Sequence, residues 1–337
     1  MKTRLFEFAF FLVLGGLLSL WGCGKGGGKP EEAGRLNFKL AHVLPTDHPV
    51  HLALVKAAKL LEEKSKGRIH LKVIPDGRYG SERQALEKLK MGILPFTKVS
   101  MAALEQFQPK AAVFSYPFLF RDDAHRWKVM NGPIGKELLD CALAQGFKGI
   151  CYMDAGWRSF YTKEGHPVRS IGDLQGLKIR CINAPTMIKA IQALGANTTN
   201  IEWGELYSAL QQGIVDGAEN NIPSLYSSRQ YEVVKYYTLD RHMAVPDVVV
   251  ASAKVWRGLS GADRALFLEC FREAAKEERR LWAERCAQDM EKMKKAGLQV
   301  IELTPEARKG FVEKARSFYE ALDPSMKALA DKIRGVR

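Results

Sequence analysis

The sequence predicts an α/β protein of two domains bridged by one long helix, and three observations carry that expectation. Short strand-like runs alternate with longer helical ones beyond residue 36, the pattern of helices packed on sheets. The chain has 337 residues, 46% of them hydrophobic, enough to bury a sizeable core and to allow two domains. Gly261 to Ala296 is one charged amphipathic run with no proline and no internal glycine. A helix of about 35 residues spans about 50 Å at 1.5 Å per residue, more than one small domain offers.

The N-terminus reads as an export signal. Met1-Lys2-Thr3-Arg4 is basic, and Leu5 to Trp21 is apolar apart from Glu7 and the Gly15-Gly16 pair. Leu20-Trp21-Gly22-Cys23 then ends the segment as a bacterial lipoprotein signal does, so residues 1–23 are read as a signal peptide with lipidation at Cys23. Trp21 is unusual in such a signal. An uncleaved transmembrane anchor is the alternative, although it needs roughly 20 apolar residues and this run is short and broken by glycine. Residues 24–35 are glycine-rich and charged, a flexible tether.

The remaining five cysteines, Cys141, Cys151, Cys181, Cys270 and Cys286, show no paired or C-x-x-C spacing, which allows one or two disulfides at most and argues against a zinc site. The formal charge of +13 suggests an anionic partner or surface. Nucleic acid is not implied, because no basic cluster is interleaved with aromatics.

In chain order, residues 37–43 read as a strand and His51 to Ser65 as an amphipathic helix stopped by Lys66-Gly67-Arg68. Residues 69–74 alternate as a second strand, and Ser81 caps a helix over Glu82 to Met91. Residues 149–153 and 177–181 are strand-like, and Ala184 to Leu194 is a helix ended by Gly195.

The run I-V-D-G-A-E-N-N at 214–221 follows a helix, Glu205 to Gly213, that ends on glycine. Val215-Asp216-Gly217 reads as a tight turn delivering the amides of Asn220 and Asn221 to a sheet end, where α/β folds keep their ligands. An ordinary turn using asparagine for its backbone tolerance is the plainer reading. Arg158 and Arg180 each stand at the edge of an apolar strand beside a glycine or turn. A guanidinium grips a carboxylate through two parallel hydrogen bonds, although either arginine alone could serve a structural ion pair. No nucleophile elbow, H-E-x-x-H, P-loop or dinucleotide fingerprint is present, and seven scattered histidines show no metal spacing, so no cofactor or metal is expected and an exported enzyme acting on organic acids is only a remote alternative.

Taken together, G-x-R-S-F-Y-T at 156–162, D-L-Q-G-L-K-I-R at 173–180, A-L-G-A-N-T at 193–198 and G-E-L-Y-S-A-L-Q-Q-G-I-V-D-G-A-E-N-N at 204–221 resemble the solute-binding proteins of tripartite ATP-independent periplasmic (TRAP) transporters, the DctP type. The likeness extends upstream through Y-G-S-E-R-Q-A-L at 79–86 and S-Y-P-F-L-F-R-D at 115–122. The resemblance implies a two-lobed, periplasmic-binding-protein-like fold that closes on an organic acid. Residues 36–156 with about 245–285 would form lobe I, and 157–244 with about 286–337 lobe II.

It further implies that Arg180 clamps a carboxylate, Arg158 adds a second cationic contact and Asn220 completes the grip. Asn183 and Trp203 would line the cleft, and Glu82 with the segment His48 to His51 would meet the far end of the ligand. Asn221 joins Glu82, Asn183 and Asn220 in supplying donors and acceptors to a hydroxyl-rich ring. The segments around 155–162 and 216–226, with 231–237, resemble the hexuronate branch of the family; a C4-dicarboxylate or 2-oxoacid is the second reading. Implied partners are the small organic acid, the TRAP membrane subunits and, through the lipid, the membrane, with a periplasmic location. A sensor lobe would use the same cleft.

If Cys23 carries the lipid, Cys23→Ser should release the protein from the membrane fraction and change its processed mass. Membrane attachment and mass equal to the parent would refute this.

Overall fold

The computed structural model describes residues 34–337, so the signal, Cys23 and most of the tether lie outside the described residues. In chain order the strands are β1 (Leu36–Ala41), β2 (Ile69–Ile74), β3 (Phe96–Ser100), β4 (Phe147–Met153), β5 (Ser159–Thr162), β6 (Lys178–Cys181), β7 (Asn197–Asn200), β8 (Gly217–Asn220), β9 (Tyr236–Thr238), β10 (Asp247–Ser252) and β11 (Gln299–Ile301). They form a five-stranded sheet ordered β2-β1-β3-β10-β4 and a six-stranded sheet ordered β11-β9-β5-β8-β6-β7. The fold is α/β and two-lobed, one lobe around each sheet. β10 arrives late in the chain and pairs antiparallel with both β3 and β4, so the first sheet is completed only after the second has been built.

Local chemistry explains the elements nearest the site. The helix Pro49–Lys64 starts on His48, whose ring accepts a hydrogen bond from the Val50 N–H, and it buries Ala53, Leu54, Ala57 and Leu61 at helical spacing. The helix Glu82–Lys90 opens with a capping box between Ser81 and Gln84.

The long helix runs Gly261–Lys295, as the uninterrupted pattern predicts. Its first half packs Phe267, Phe271 and Ala274 into a core with Leu54, Leu61 and Phe96 of the first lobe. Its last turns place Met293 among Leu206, Leu210 and Leu225 of the second. One rigid helix therefore belongs to both cores. The C-terminal helices also join the lobes: Phe311, Phe318 and Ile333 share a cluster with Ile179 and Ile191 on one side and Phe114 and Tyr116 on the other.

A polar contact closes the same flank. The helix Pro185–Ala193 begins after Ala184, which has no side chain able to cap it. Glu105, just past β3 in the first lobe, supplies the missing acceptor through Oε1, taking bonds from the Thr186 N–H (3.0 Å) and hydroxyl (2.6 Å).

Two expectations are corrected. Val215-Asp216-Gly217 is not a tight turn: the reversal is made by Gly213, at φ 73°, and Gly217 is already strand β8. Gly217 is glycine for close approach, because a Cβ there would lie 2.3 Å from the Tyr161 carbonyl oxygen on β5. No disulfide joins the described cysteines either; Cys141, Cys151, Cys181, Cys270 and Cys286 are free thiols.

Gly217→Ala should therefore push β5 and β8 apart and lower Tm by on the order of 5 °C or more. A variant melting within a degree of the parent would show that the strands yield without cost.

Candidate functional site

A cavity of about 440 Å³ lies between the two sheets, within the size range of small-molecule sites. Its walls come from strand ends: Arg180 from β6, Asn220 at the end of β8, Lys98 and Ser100 from β3, and Asp247 at the start of β10. Seven of the eight residues expected at a ligand site line it, namely Glu82, Arg158, Arg180, Asn183, Trp203, Asn220 and Asn221.

Arg180 is 4% exposed, and its Nε donates to the Ile201 carbonyl at 2.8 Å. Its guanidinium lies 5.9 Å from the centre of the Trp203 ring, which offers it a π face. Among the described residues no carboxylate pairs with it. Burial lowers its pKa, which means the charge is held in a place that disfavours it. A ligand carboxylate would relieve that cost and accept the remaining N–H groups as a fork.

Arg158 departs from its expected role. It lines the cavity, but its Nε (2.5 Å) and Nη2 (2.8 Å) grip the Glu219 carboxylate, Nη2 also reaches the Glu219 carbonyl (2.9 Å), and Nη1 donates to Asn220 Oδ1 (2.9 Å). Four of its five N–H groups are thus committed, and one on Nη1 remains. Arg158 is therefore no free second cation; it neutralises Glu219 and orients Asn220. Asn220 Oδ1 also accepts from the Asn221 N–H at 2.9 Å, which leaves its NH₂ group as the donor for a ligand.

Behind this pair, His242 Nε2 faces Glu219 at 3.6 Å and its Nδ1 bonds Asp240 at 2.6 Å. Although burial opposes it, the two acids raise the His242 pKa to about 9. Arg158 and His242 in turn overcome burial and hold Glu219 near 2. The four charges alternate and cancel.

The opposite wall holds a second buried cluster that sequence reading missed except for Glu82. Lys98 Nζ donates to Asp247 Oδ2 at 2.9 Å and approaches Glu82 Oε1 at 3.5 Å, and Glu82 Oε1 accepts from the Ser100 N–H at 3.0 Å. Burial raises the Glu82 pKa against the pull of Lys98. A lone lysine in the buried strand F-T-K-V-S, and an aspartate heading D-V-V-V-A-S, were the available signals.

The other expected residues take distinct places. Asn183 is exposed at the rim, and its carbonyl receives Gln106 Nε2 from the first lobe at 2.6 Å. Asn221 is buried, and its Oδ1 caps the helix Ile222–Ser227 through the Ser224 N–H. The eighth residue, His48, does not line the cavity. Its Nδ1 caps the helix Pro49–Lys64, so Nε2 carries the proton and reaches Ser224 Oγ at 3.2 Å, one layer behind the wall. His51 likewise turns away, to His42 at 2.9 Å.

Two α/β lobes around a polar cleft are the architecture of a solute-binding protein. Comparison with known proteins places it further. Residues 40–324 match the family model of bacterial extracellular solute-binding protein, family 7 (DctP), and the chain belongs to that family, the solute-binding proteins of TRAP transporters. It is similar to a TRAP solute-binding protein of Bradyrhizobium sp. btai1 solved with galacturonate (38% identity, TM-score 0.85, 88% of this chain and 99% of that one). It is similar also to one from Pseudomonas putida F1 with D-glucuronate (36%, TM-score 0.85, 90% and 98%). One from Sulfurospirillum deleyianum with succinate shares the fold as closely but less sequence (26%, TM-score 0.85, 90% and 100%). The family is extracytoplasmic, and no described helix is long and apolar enough to cross a membrane.

The His242 charge has a sign that can be tested. Its folded pKa of about 9 lies above the ordinary 6.5, so the stabilisation it gives is complete below pH 6.5 and is lost as pH rises through about 9. Tm should fall across that window in the parent, and the fall should be smaller in His242→Gln. Parallel Tm profiles in the two proteins would show that His242 is not charged in the fold.

Proposed function

We propose that this protein captures a hexuronate in the inter-lobe cleft and delivers it to the membrane subunits of a TRAP transporter. The observation that carries the reading is the buried, unpaired Arg180 facing a cleft whose far wall is the acceptor-rich Glu82–Lys98–Asp247 cluster. The carboxylate would sit on Arg180, with the Asn220 amide and the last Arg158 N–H beside it. The Trp203 ring offers a flat apolar face to a sugar ring, and Glu82 and Asp247 accept from ring hydroxyls, with Asn183 at the rim and Asn221 behind.

The structures solved with uronates support this reading at 38% and 36% identity, against 26% for the one solved with succinate. That last structure is the observation favouring a C4-dicarboxylate as the second reading. A small diacid would leave the acceptors of the far wall unmatched, which costs more than a missing apolar contact. The role is capture and not catalysis. A lipid at Cys23 would hold the protein at the membrane beside its transporter.

A thermal-shift screen tests the ligand class. D-galacturonate and D-glucuronate should raise Tm by mass action, whereas neutral galactose and glucose, lacking the carboxylate, should not. Strong stabilisation by succinate with none by either hexuronate would favour the second reading. Arg180→Lys should weaken uronate binding by about 30-fold or more, since an ammonium cannot reproduce the fork and removing one partner of a buried pair costs ~2–5 kcal/mol. Calorimetry within a factor of two of the parent would remove Arg180 from that role.

A further inference from the structure

The charge balance of the cleft does not follow that of the chain. The chain carries a formal +13, yet five carboxylate and four cationic side chains line the cavity. Of the four, Arg158 is neutralised by Glu219, Arg83 is paired with Glu87 at 3.1 Å, and Lys98 is held between Glu82 and Asp247. Of these four, Arg180 alone has no carboxylate partner among the described residues. On the far wall Glu82 Oε2 and Asp247 Oδ1 have no hydrogen-bond partner among the described residues, and both residues line the cavity. Exposed Asp76 is another acid of the lining, from the same lobe as Glu82.

We infer that the site is built for one carboxylate only, with Glu82 and Asp247 as the residues that reject a second. The inference rests on the sugar-acid reading of the cleft and adds the discrimination within that class: uronic acids are taken, and aldaric diacids with the same carbon skeleton are refused. A hydroxyl arriving at the far wall can donate to either free oxygen. A carboxylate there has no proton to give and meets two acceptors, while two of the three N–H groups of Lys98 already answer those acids. Like charges brought together in a desolvated site cost enough to change affinity by orders of magnitude.

Calorimetry on the full mature chain with D-galacturonate and with galactarate, which replaces C1 of the sugar by a second carboxylate, tests this directly. Galactarate should bind about 100-fold more weakly. A difference below tenfold, or tighter galactarate binding, would overturn the inference and leave the hexuronate reading in place. Failure of galacturonate and glucuronate alike to bind would overturn both. Because galactarate is also open-chain, a charge test completes the experiment. In Glu82→Gln, and in Asp247→Asn where it folds, the ratio of the two affinities should narrow by about tenfold. A ratio unchanged in Glu82→Gln would assign the rejection to shape and sink the electrostatic account.

Discussion

The bidentate pair between Arg158 and Glu219 is the interaction on which the site depends. It ties the residue just before β5 to β8, aims the Asn220 amide, and takes one of two neighbouring guanidinium groups out of play. Were Glu219 neutral, the cleft would hold two buried cations side by side, and its preference would move toward ligands with more negative charge. The pair is sustained from behind by His242 and Asp240, so that four buried charges cancel in sequence and none is left without a partner. Arg180 stands alone because Arg158 does not.

The far wall follows the same logic with a different balance. Three charges meet there, two acids and one base, and the ammonium is the most deeply buried of them at 2% side-chain exposure against 17% and 11%. Lysine is thereby fixed as a structural counter-ion, and the acids keep their outward oxygens for solvent or ligand. The two ends of the cleft thus differ: one presents a cation with no carboxylate partner among the described residues, the other outward-facing carboxylate oxygens.

The five helices read from the sequence, and the strands β1, β2, β4 and β6, were legible because they are set by near neighbours in the chain. Caps at Ser81, spacing along Pro49–Lys64 and the unbroken run from Gly261 all express themselves within a few residues. The insertion of β10 between β3 and β4 was not legible, since it joins segments about 150 residues apart. The same division holds in the site. The positions of Arg180 and Asn220 in the cleft wall were readable from strand ends and family motifs. The partnership of Arg158 with Glu219, the capture of Lys98 by Asp247 and the turning of His48 toward Ser224 each join distant segments, and a lone charge in a strand does not announce its partner. Gly217 was misread for a related reason: a turn and a close strand contact both select glycine, and only the neighbouring Tyr161 carbonyl tells them apart.

The cap that Glu105 lends to the helix Pro185–Ala193 makes the two lobes share a secondary-structure terminus. If they separate along that flank, the helix keeps its sequence but loses its acceptor, and fraying of its first turn should follow at a cost of about 1 kcal/mol. That turn begins only five residues after Arg180, on the same connection. The opening motion would thus soften the backbone beside the arginine proposed to hold the ligand, so that release of a bound ligand and loosening of its anchor would become one event instead of two.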